Sequence, residues 1–268
     1  MFSVLLSVYS GEHAEYLDQA LSSIVHQTLM PAEIVLVKDG PLTDALEQVI
    51  DTYLSAYENL IKIVELPCNQ GLGHALNEGL KACSFDLVAR MDTDDIAKPN
   101  RFAKQMEVFS KYPDLDICSS WIEEFESSPQ CLLAVKKVPE KHEEIIQYAR
   151  HRCPVNHPAV MYRKHVVLEV GGYEGFPEDY RLWIKMILHG CNFYNIQESL
   201  LYFRFSRATI KRRGGMKYAI SDVLSQWGFY KLGFLSLFDL VYNISVRSIV
   251  RLVPTNVRFL IYKKCMRR

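Results

Sequence analysis

Asp92-Thr93-Asp94-Asp95 gathers three carboxylates within four residues, directly after the apolar run Phe85-Asp86-Leu87-Val88-Ala89-Arg90-Met91, which reads as a buried strand. Oxygen ligands at a strand tip suit a hard divalent cation, Mg²⁺ or Mn²⁺. Carboxylates this close repel one another, so burying them alone is costly, and a cation converts the repulsion into coordination. The alternative for the same residues is a solvated acidic turn in which Asp95 caps the following helix. A second acidic pair, Glu178-Asp179, follows Pro177 and opens a helix predicted to carry Trp183 and Met186 inward and to stop at Gly190. Acids in a first helical turn are also favoured by the helix dipole, so this pair too has a purely structural reading.

The elements that must position these groups alternate along the first half of the chain. Strands are predicted over Val4–Val8, Glu33–Val37, Ile61–Glu65, Phe85–Met91 and Leu115–Cys118, with amphipathic helices between them that turn Leu17, Leu21 and Ile24, or Leu76, Leu80 and Cys83, inward. Such alternation implies an α/β fold, a parallel sheet with crossover helices on both faces. Ligands collect at the carboxyl ends of parallel strands, where this chain places Tyr9, Asp39 and Asp92 to Asp95, so the three strand ends are expected to share one pocket. Further on, Trp121–Phe125 and Leu132–Val138 read as a strand pair. A helix follows from about Lys141 to His151, and another, short, helix ends at Gly171-Gly172.

At 268 residues and 49% hydrophobic content the chain can bury a substantial core. Its seven cysteines are scattered, with no Cys-x-x-Cys pair, which signals neither a disulfide framework nor a zinc site and fits a reducing cytosol. The start lacks the features of a secretory signal. The zero net charge conceals an asymmetry: from Lys211 onward twelve Lys/Arg face two acids, leaving 19 basic and 29 acidic residues before it. This tail reads as two or three helices with Phe234, Leu237, Phe238, Val241, Tyr242 and Ser245 at helical spacing, interrupted by Asp239, Asn243 and Arg247 before a membrane span is reached. Apolar spacing with a basic surplus suits either an anionic membrane surface or a helical subdomain packed on the core. No nucleic-acid motif accompanies the charge.

Taken in order, Ser3 to Tyr9, Ser22-Ser23-Ile24-Val25-His26-Gln27-Thr28, Glu33 to Asp39-Gly40, Asn69-Gln70-Gly71-Leu72-Gly73 to Gly79 and Arg90-Met91-Asp92-Thr93-Asp94-Asp95 resemble the nucleotide-sugar-binding half of family 2 glycosyltransferases. Asn156-His157-Pro158, Gly171-Gly172-Tyr173 and Glu178-Asp179-Tyr180-Arg181-Leu182-Trp183 are similar to the acceptor side of bacterial polysaccharide glycosyltransferases. The resemblance is collinear over about residues 2–205. It implies the GT-A fold, a Rossmann-like, mostly parallel central sheet flanked by helices, here with a C-terminal helical extension. The implied organisation is a catalytic domain over 1–210, divided into a nucleotide-sugar-binding half (1–118) and an acceptor half (119–210), followed by a basic amphipathic tail (211–268).

A nucleotide sugar requires a platform for its base, an acceptor for base or ribose donors and a cation for its phosphates. By the resemblance Tyr9 supplies the platform and Asp39 accepts from a uracil N–H or ribose hydroxyl, the alternative for Asp39 being an ordinary Asp-Gly turn. Lys38 departs from the family's commoner pair of acids. The glycines between Asn69 and Gly79 permit close backbone approach to a nucleotide, and no Gly-Lys-Ser/Thr of a Walker loop follows them. Asn69 and Gly71 are therefore assigned to the donor, and Asn77 either to the donor or to backbone groups near the pocket. Asp92 is assigned to the ribose side with Arg90 as an aid, unless Arg90 is a surface ion pair. Asp94 or Asp95 is the implied ligand of Mn²⁺ or Mg²⁺. Asp179 is the implied catalytic base of an inverting transfer, with Glu178 tuning it or meeting the acceptor, and His157 and Trp183 lie on the acceptor side.

The function implied is transfer of a hexose from a UDP-sugar, a galactose donor being one case, to a lipid-linked saccharide at the inner face of a bacterial membrane, in O-antigen, capsule or exopolysaccharide synthesis. The basic tail would hold a cytoplasmic enzyme against that membrane. Two rivals differ in class. A sugar nucleotidyltransferase calls for a Gly- and Arg-rich phosphate loop after the first strand, which Ser7 to Glu12 is not. A non-catalytic, membrane-associated sugar-nucleotide-binding protein would not need the acids at 92, 94, 95 and 179.

Overall fold

The computed structural model describes residues 1–205 and 214–254. Strands β1 (Ser3–Val8), β2 (Glu33–Lys38), β3 (Ile61–Glu65) and β4 (Leu87–Arg90) form a parallel block in the order β3-β2-β1-β4. Both faces of this block are covered, so its inner strands carry unbroken apolar runs over 4–6 and 34–37. The period of two sorts their side chains: Val4, Leu6 and Val8 pack with Leu17, Leu21 and Ile24 of helix α1 (Ala14–Val25), whereas Leu5, Val35 and Val37 pack with Leu76 and Leu80 of α3 (Leu72–Ala82). Helices α2 (Asp44–Ala56) and α4 (Arg101–Lys111) complete the first layer.

Beyond β4 the sheet departs from the parallel expectation. β8 (Met161–Arg163) inserts antiparallel between β4 and β6 (Ile117–Phe125), and β9 (Phe193–Arg204) then runs parallel to β6 and meets the two-residue β5 (Ile96–Ala97). β7 (Leu132–Lys136) pairs with β6 as the predicted hairpin. β6 joins two segments that the sequence presents as separate strands, and it crosses the expected division at residues 118 and 119. Strand β9 was not legible because its Gln197-Glu198-Ser199 centre breaks alternation, and the register shifts there too.

Helices α5 (His142–Ala149), α6 (Lys164–Glu169) and α7 (Glu178–Leu188) cover the second face. Two tail helices, α8 (Met216–Lys231) and α9 (Leu237–Leu252), pack on α5 and α7 through Phe229, Phe234 and Leu235 against Ala149, Tyr180 and Ile184. Among the described residues no helix is long and apolar enough to cross a membrane. Of the tail's expected basic residues, Lys211, Arg212, Arg213, Arg258, Lys263, Lys264, Arg267 and Arg268 lie outside the described residues.

Candidate active site

The turn after β4 brings Asp92, Asp94 and Asp95 together, each offering an oxygen within 4.8 Å of the others. Three arginines hold it. Arg90, on β4, is wholly buried and grips both oxygens of Asp92 through Nη1 and Nη2. It is therefore not the surface ion pair weighed from sequence, and its guanidinium is spent on Asp92. Arg101, at the start of α4, lies beneath the turn and donates to the carbonyl oxygens of Arg90 (2.7 Å) and Val160 (3.3 Å). Burial pushes its guanidinium down to about 9, against the pull of Asp95. Arg204, at the end of β9, gives its backbone N–H to Asp95 Oδ1 (2.8 Å) and its Nε to the Asp94 carbonyl (2.9 Å), while its guanidinium stacks over Tyr16 at 3.8 Å.

These cations do not neutralise the turn. Burial, then the charges of Asp92 and Glu12, push the Asp94 carboxyl up to about 7, and burial with Asp94 and Asp92 pushes Asp95 well above the carboxylate range. Asp95 Oδ2 is buried without a hydrogen-bond partner. An orphaned carboxylate oxygen beside a second carboxyl that holds its proton near neutrality is a donor set one cation short, so the residues fit Mg²⁺ or Mn²⁺ through Asp94 and Asp95. Asp95 is buried outright, which removes the solvated-turn alternative for it.

Tyr9 stands just past β1, 43% exposed, with its ring folded over Gly11. Asp39, past β2, is buried, and its Oδ1 and Oδ2 accept the backbone N–H groups of Gln70 (2.7 Å) and Gly71 (3.0 Å). It thus clasps the loop that carries Asn69, whose side is exposed. Gly71 sits at φ +89°, the left-handed region that favours glycine. Gly79 serves a different purpose from the nucleotide approach expected of these glycines: a Cβ there would lie 2.4 Å from Leu5 Cδ1, so its absence lets α3 sit on the sheet. Lys38 bridges Glu47 (2.6 Å) and Glu65 (3.0 Å), tying β2 to its neighbours.

Across from the acidic turn stands the first turn of α7. Glu178 Cβ and Cγ lie where a Cβ on Gly73 would be 3.5 and 3.8 Å away, placing the side chain against the start of α3. Burial raises the Glu178 carboxyl, Asp179 and Asp92 push it further, and Arg90 opposes them. Glu178 therefore feels the charges of Asp92 and Arg90. Asp179 Oδ1 accepts the N–H of Tyr180 (2.7 Å), and its Oδ2 faces the Cys153 thiol at 3.8 Å.

Two assignments are corrected. Asn77 has both ends of its amide on Tyr173, Nδ2 donating to the carbonyl (2.8 Å) and Oδ1 accepting the N–H (2.8 Å), so it satisfies backbone groups as its alternative reading held. Trp183 is 0% exposed and packs edge-on to His157 and Tyr173, so it is a core residue beneath His157 that no acceptor can reach. His157 is nearly buried, with Nε2 3.2 Å from the Tyr173 hydroxyl, and burial together with Arg90 holds its imidazole well below the usual range.

Sequence reasoning missed Glu12, Arg101 and Arg204. Glu12 accepts from the Thr93 hydroxyl (3.2 Å) and adds its charge to Asp94. Glu12 and Arg204 reach the turn through long-range packing; the one local signal was Arg101, at the opening of α4 and buried with Phe102 and Phe109.

The profile of glycosyl transferase family 2 matches residues 3–171. The chain is 46% identical, over all of its length and 97% of the relative's, to an Escherichia coli UDP-Gal:alpha-D-GlcNAc-diphosphoundecaprenol beta-1,3-galactosyltransferase. It is 36% identical, over 98% of both chains, to the amylovoran biosynthesis glycosyltransferase AmsE of Erwinia amylovora. The crystal structure of S. aureus TarS 1-349 in complex with UDP-GlcNAc superposes with a TM-score of 0.64 at 17% identity, covering 84% of this chain and 65% of that one, which shows the shared GT-A fold. Fold, profile and full-length relatives agree with the constellation of acids: the chain belongs to glycosyl transferase family 2 and is a glycosyltransferase.

Proposed function

We propose that this glycosyltransferase is inverting and metal-dependent, and that it moves a hexose, galactose from UDP-galactose in the leading case, to a lipid-linked saccharide during surface polysaccharide synthesis. The observation that supports the reading is the acidic turn, where Asp92, Asp94 and Asp95 offer oxygens within 4.8 Å of one another and Asp95 Oδ2 is buried without a partner. The likeness to a galactosyltransferase that uses UDP-Gal and a GlcNAc-diphosphoundecaprenol supports the choice of donor and acceptor.

In this reading Tyr9 stacks on the base, and the second lone pairs of Asp39 together with Asn69 and the Gly71 backbone hold the nucleoside. Arg90 fixes Asp92 toward the ribose, and Asp94 and Asp95 would hold the cation, which when bound offsets charge on the departing diphosphate. Asp179 removes the proton of the acceptor hydroxyl as that oxygen attacks the anomeric carbon from the face opposite the phosphate. The bond to the leaving phosphate oxygen breaks in the same step. The Tyr180 N–H fixes Oδ1 of Asp179, and Oδ2, which otherwise meets only the weak donor of the Cys153 thiol at 3.8 Å, would take the proton. Glu178 and His157 line the acceptor side. Residues 1–118 and 119–210 serve donor and acceptor, and the tail gives a peripheral seat at the membrane.

The test is incubation with radiolabelled UDP-sugars and a synthetic lipid diphosphate saccharide. Transfer from UDP-galactose is expected, with Asp179→Asn lowering kcat by about 10²- to 10⁴-fold. Full activity in that variant removes Asp179 as the base, and binding of UDP-galactose without transfer to any acceptor favours the non-catalytic reading.

A further inference from the structure

Helices α8 and α9 are turned inside out. Where they meet each other and the body they bury the polar side chains Asp222, Gln226, Asp239 and Asn243 beside Ala219, Phe229 and Leu240. Asn243 Nδ2 donates to Gln226 Oε1 (2.8 Å), and Asp222 pairs with Arg247 (3.4 Å) and Arg251 (2.6 Å). The outward faces are apolar, with Ile220, Leu224 (65% exposed) and Trp227 on α8 and Phe238 (77% exposed), Val241 and Ile249 on α9. Every exposed residue of α9 is uncharged, and the charges exposed on α8 are Lys217 and Lys231, one at each end. Of the basic residues expected at the membrane, Arg247 and Arg251 are held by Asp222, and among the described residues the outer surface is apolar with a basic rim.

What should cover this face follows from its borders. A groove of about 290 Å³, lined by Tyr148, His151, Arg152, Tyr242, Val246 and Arg247, shares Tyr242 and Val246 with the exposed side of α9. Arg152 is exposed and has no ion-pair partner among the described residues. Both acids of the pair of helices, Asp222 and Asp239, are buried away from it. An apolar, aromatic-bearing plane edged by lysines and an arginine complements acyl chains below anionic phosphates. Neither helix can cross a bilayer. The plane is also tied to the acceptor end of the site, because Ser225 Oγ donates to the Phe176 carbonyl (2.6 Å) two residues before Glu178.

We propose that the outer face of α8 and α9 lies on the surface of an anionic lipid bilayer, with the groove beside Arg152 receiving a lipid phosphate; this deepens, and rests on, the lipid-acceptor reading above. The contact presents the first turn of α7 to an acceptor whose lipid stays in the membrane.

The full chain should float with phosphatidylcholine vesicles that contain phosphatidylglycerol. The pair Leu224→Gln and Phe238→Gln should weaken flotation at least about tenfold, as expected when two large apolar side chains leave lipid, and the single variant Trp227→Gln should weaken it less. Arg152→Gln should reduce the preference for phosphatidylglycerol. Each variant should keep the melting temperature of the parent and its rate on a short-chain, water-soluble acceptor. Undiminished flotation of the paired variant, or a dimer in sedimentation that the same substitutions dissociate while vesicles bind nothing, overturns the proposal. Failure of the lipid-acceptor reading is seen separately, as absent sugar transfer with flotation intact.

Discussion

Two regions of this molecule bury carboxylates, and they do so on opposite terms. In the tail every buried acid is answered: Asp222 by Arg247 and Arg251, and Asp239 by Arg150 and by the hydroxyl and N–H of Ser236 in a capping box. Burial alone would raise Asp239, yet these partners hold its carboxyl below the usual range. In the turn after β4, Asp94 and Asp95 are buried beside Asp92 and Glu12 with too few partners, and both are pushed up. The first arrangement is complete as it stands and serves the fold. The second is left with a deficit, which in the proposed mechanism a cation fills.

Removing acids from the two regions should therefore have opposite consequences. The largest effect expected is on activity: Asp95→Asn should lower the rate of transfer from UDP-galactose by about 10³-fold or more, since it removes an oxygen aimed at the diphosphate's cation. The same variant should lose no stability in urea at pH 8 without added metal, and a large drop in midpoint there would erase the contrast. Next is Asp222→Asn, which leaves Arg247 and Arg251 without their buried counter-charge and should cost about 3 kcal/mol in urea unfolding while the rate per folded molecule on a water-soluble acceptor persists. The smallest is a pH effect that sharpens the comparison. A carboxyl whose folded pKa lies above its unfolded value penalises folding as pH rises from about 4 to about 7, the interval over which Asp94 is ionised in the unfolded chain but holds its proton in the fold. A divalent cation must displace that proton, so Mn²⁺ affinity followed by calorimetry should fall about tenfold per pH unit below 7 and level off above it. A flat profile from pH 6 to pH 8 would mean that Asp94 is not a ligand.

The parallel half of the fold was legible because its strands are buried on both faces and its helices are amphipathic, so local patterns carry the tertiary outcome. The acidic turn was legible for the same reason, its members being adjacent in sequence. What supports them was not. Arg204 reaches Asp95 from 109 positions away, at the end of a strand whose polar centre hides it. Asp39 and Asn77 carried the right residue types for a ligand, but their oxygens and amides also suit backbone partners, and sequence does not state which partner arrives. In the tail, spacing placed the apolar residues on one face of α9 but left open which way it points; it points outward, because the polar residues between them found partners on α5 and α8.

The amide of Asn77 has a consequence for the reaction's geometry. It pins the turn at Tyr173, which leads into α7, onto the helix that follows the Asp39-clasped loop. In the proposed mechanism one side chain thus sets the gauge between the surface assigned to the nucleotide and the carboxylates assigned to the proton. An in-line displacement tolerates little slack between its entering and leaving atoms, and two hydrogen bonds of 2.8 Å would hold that spacing.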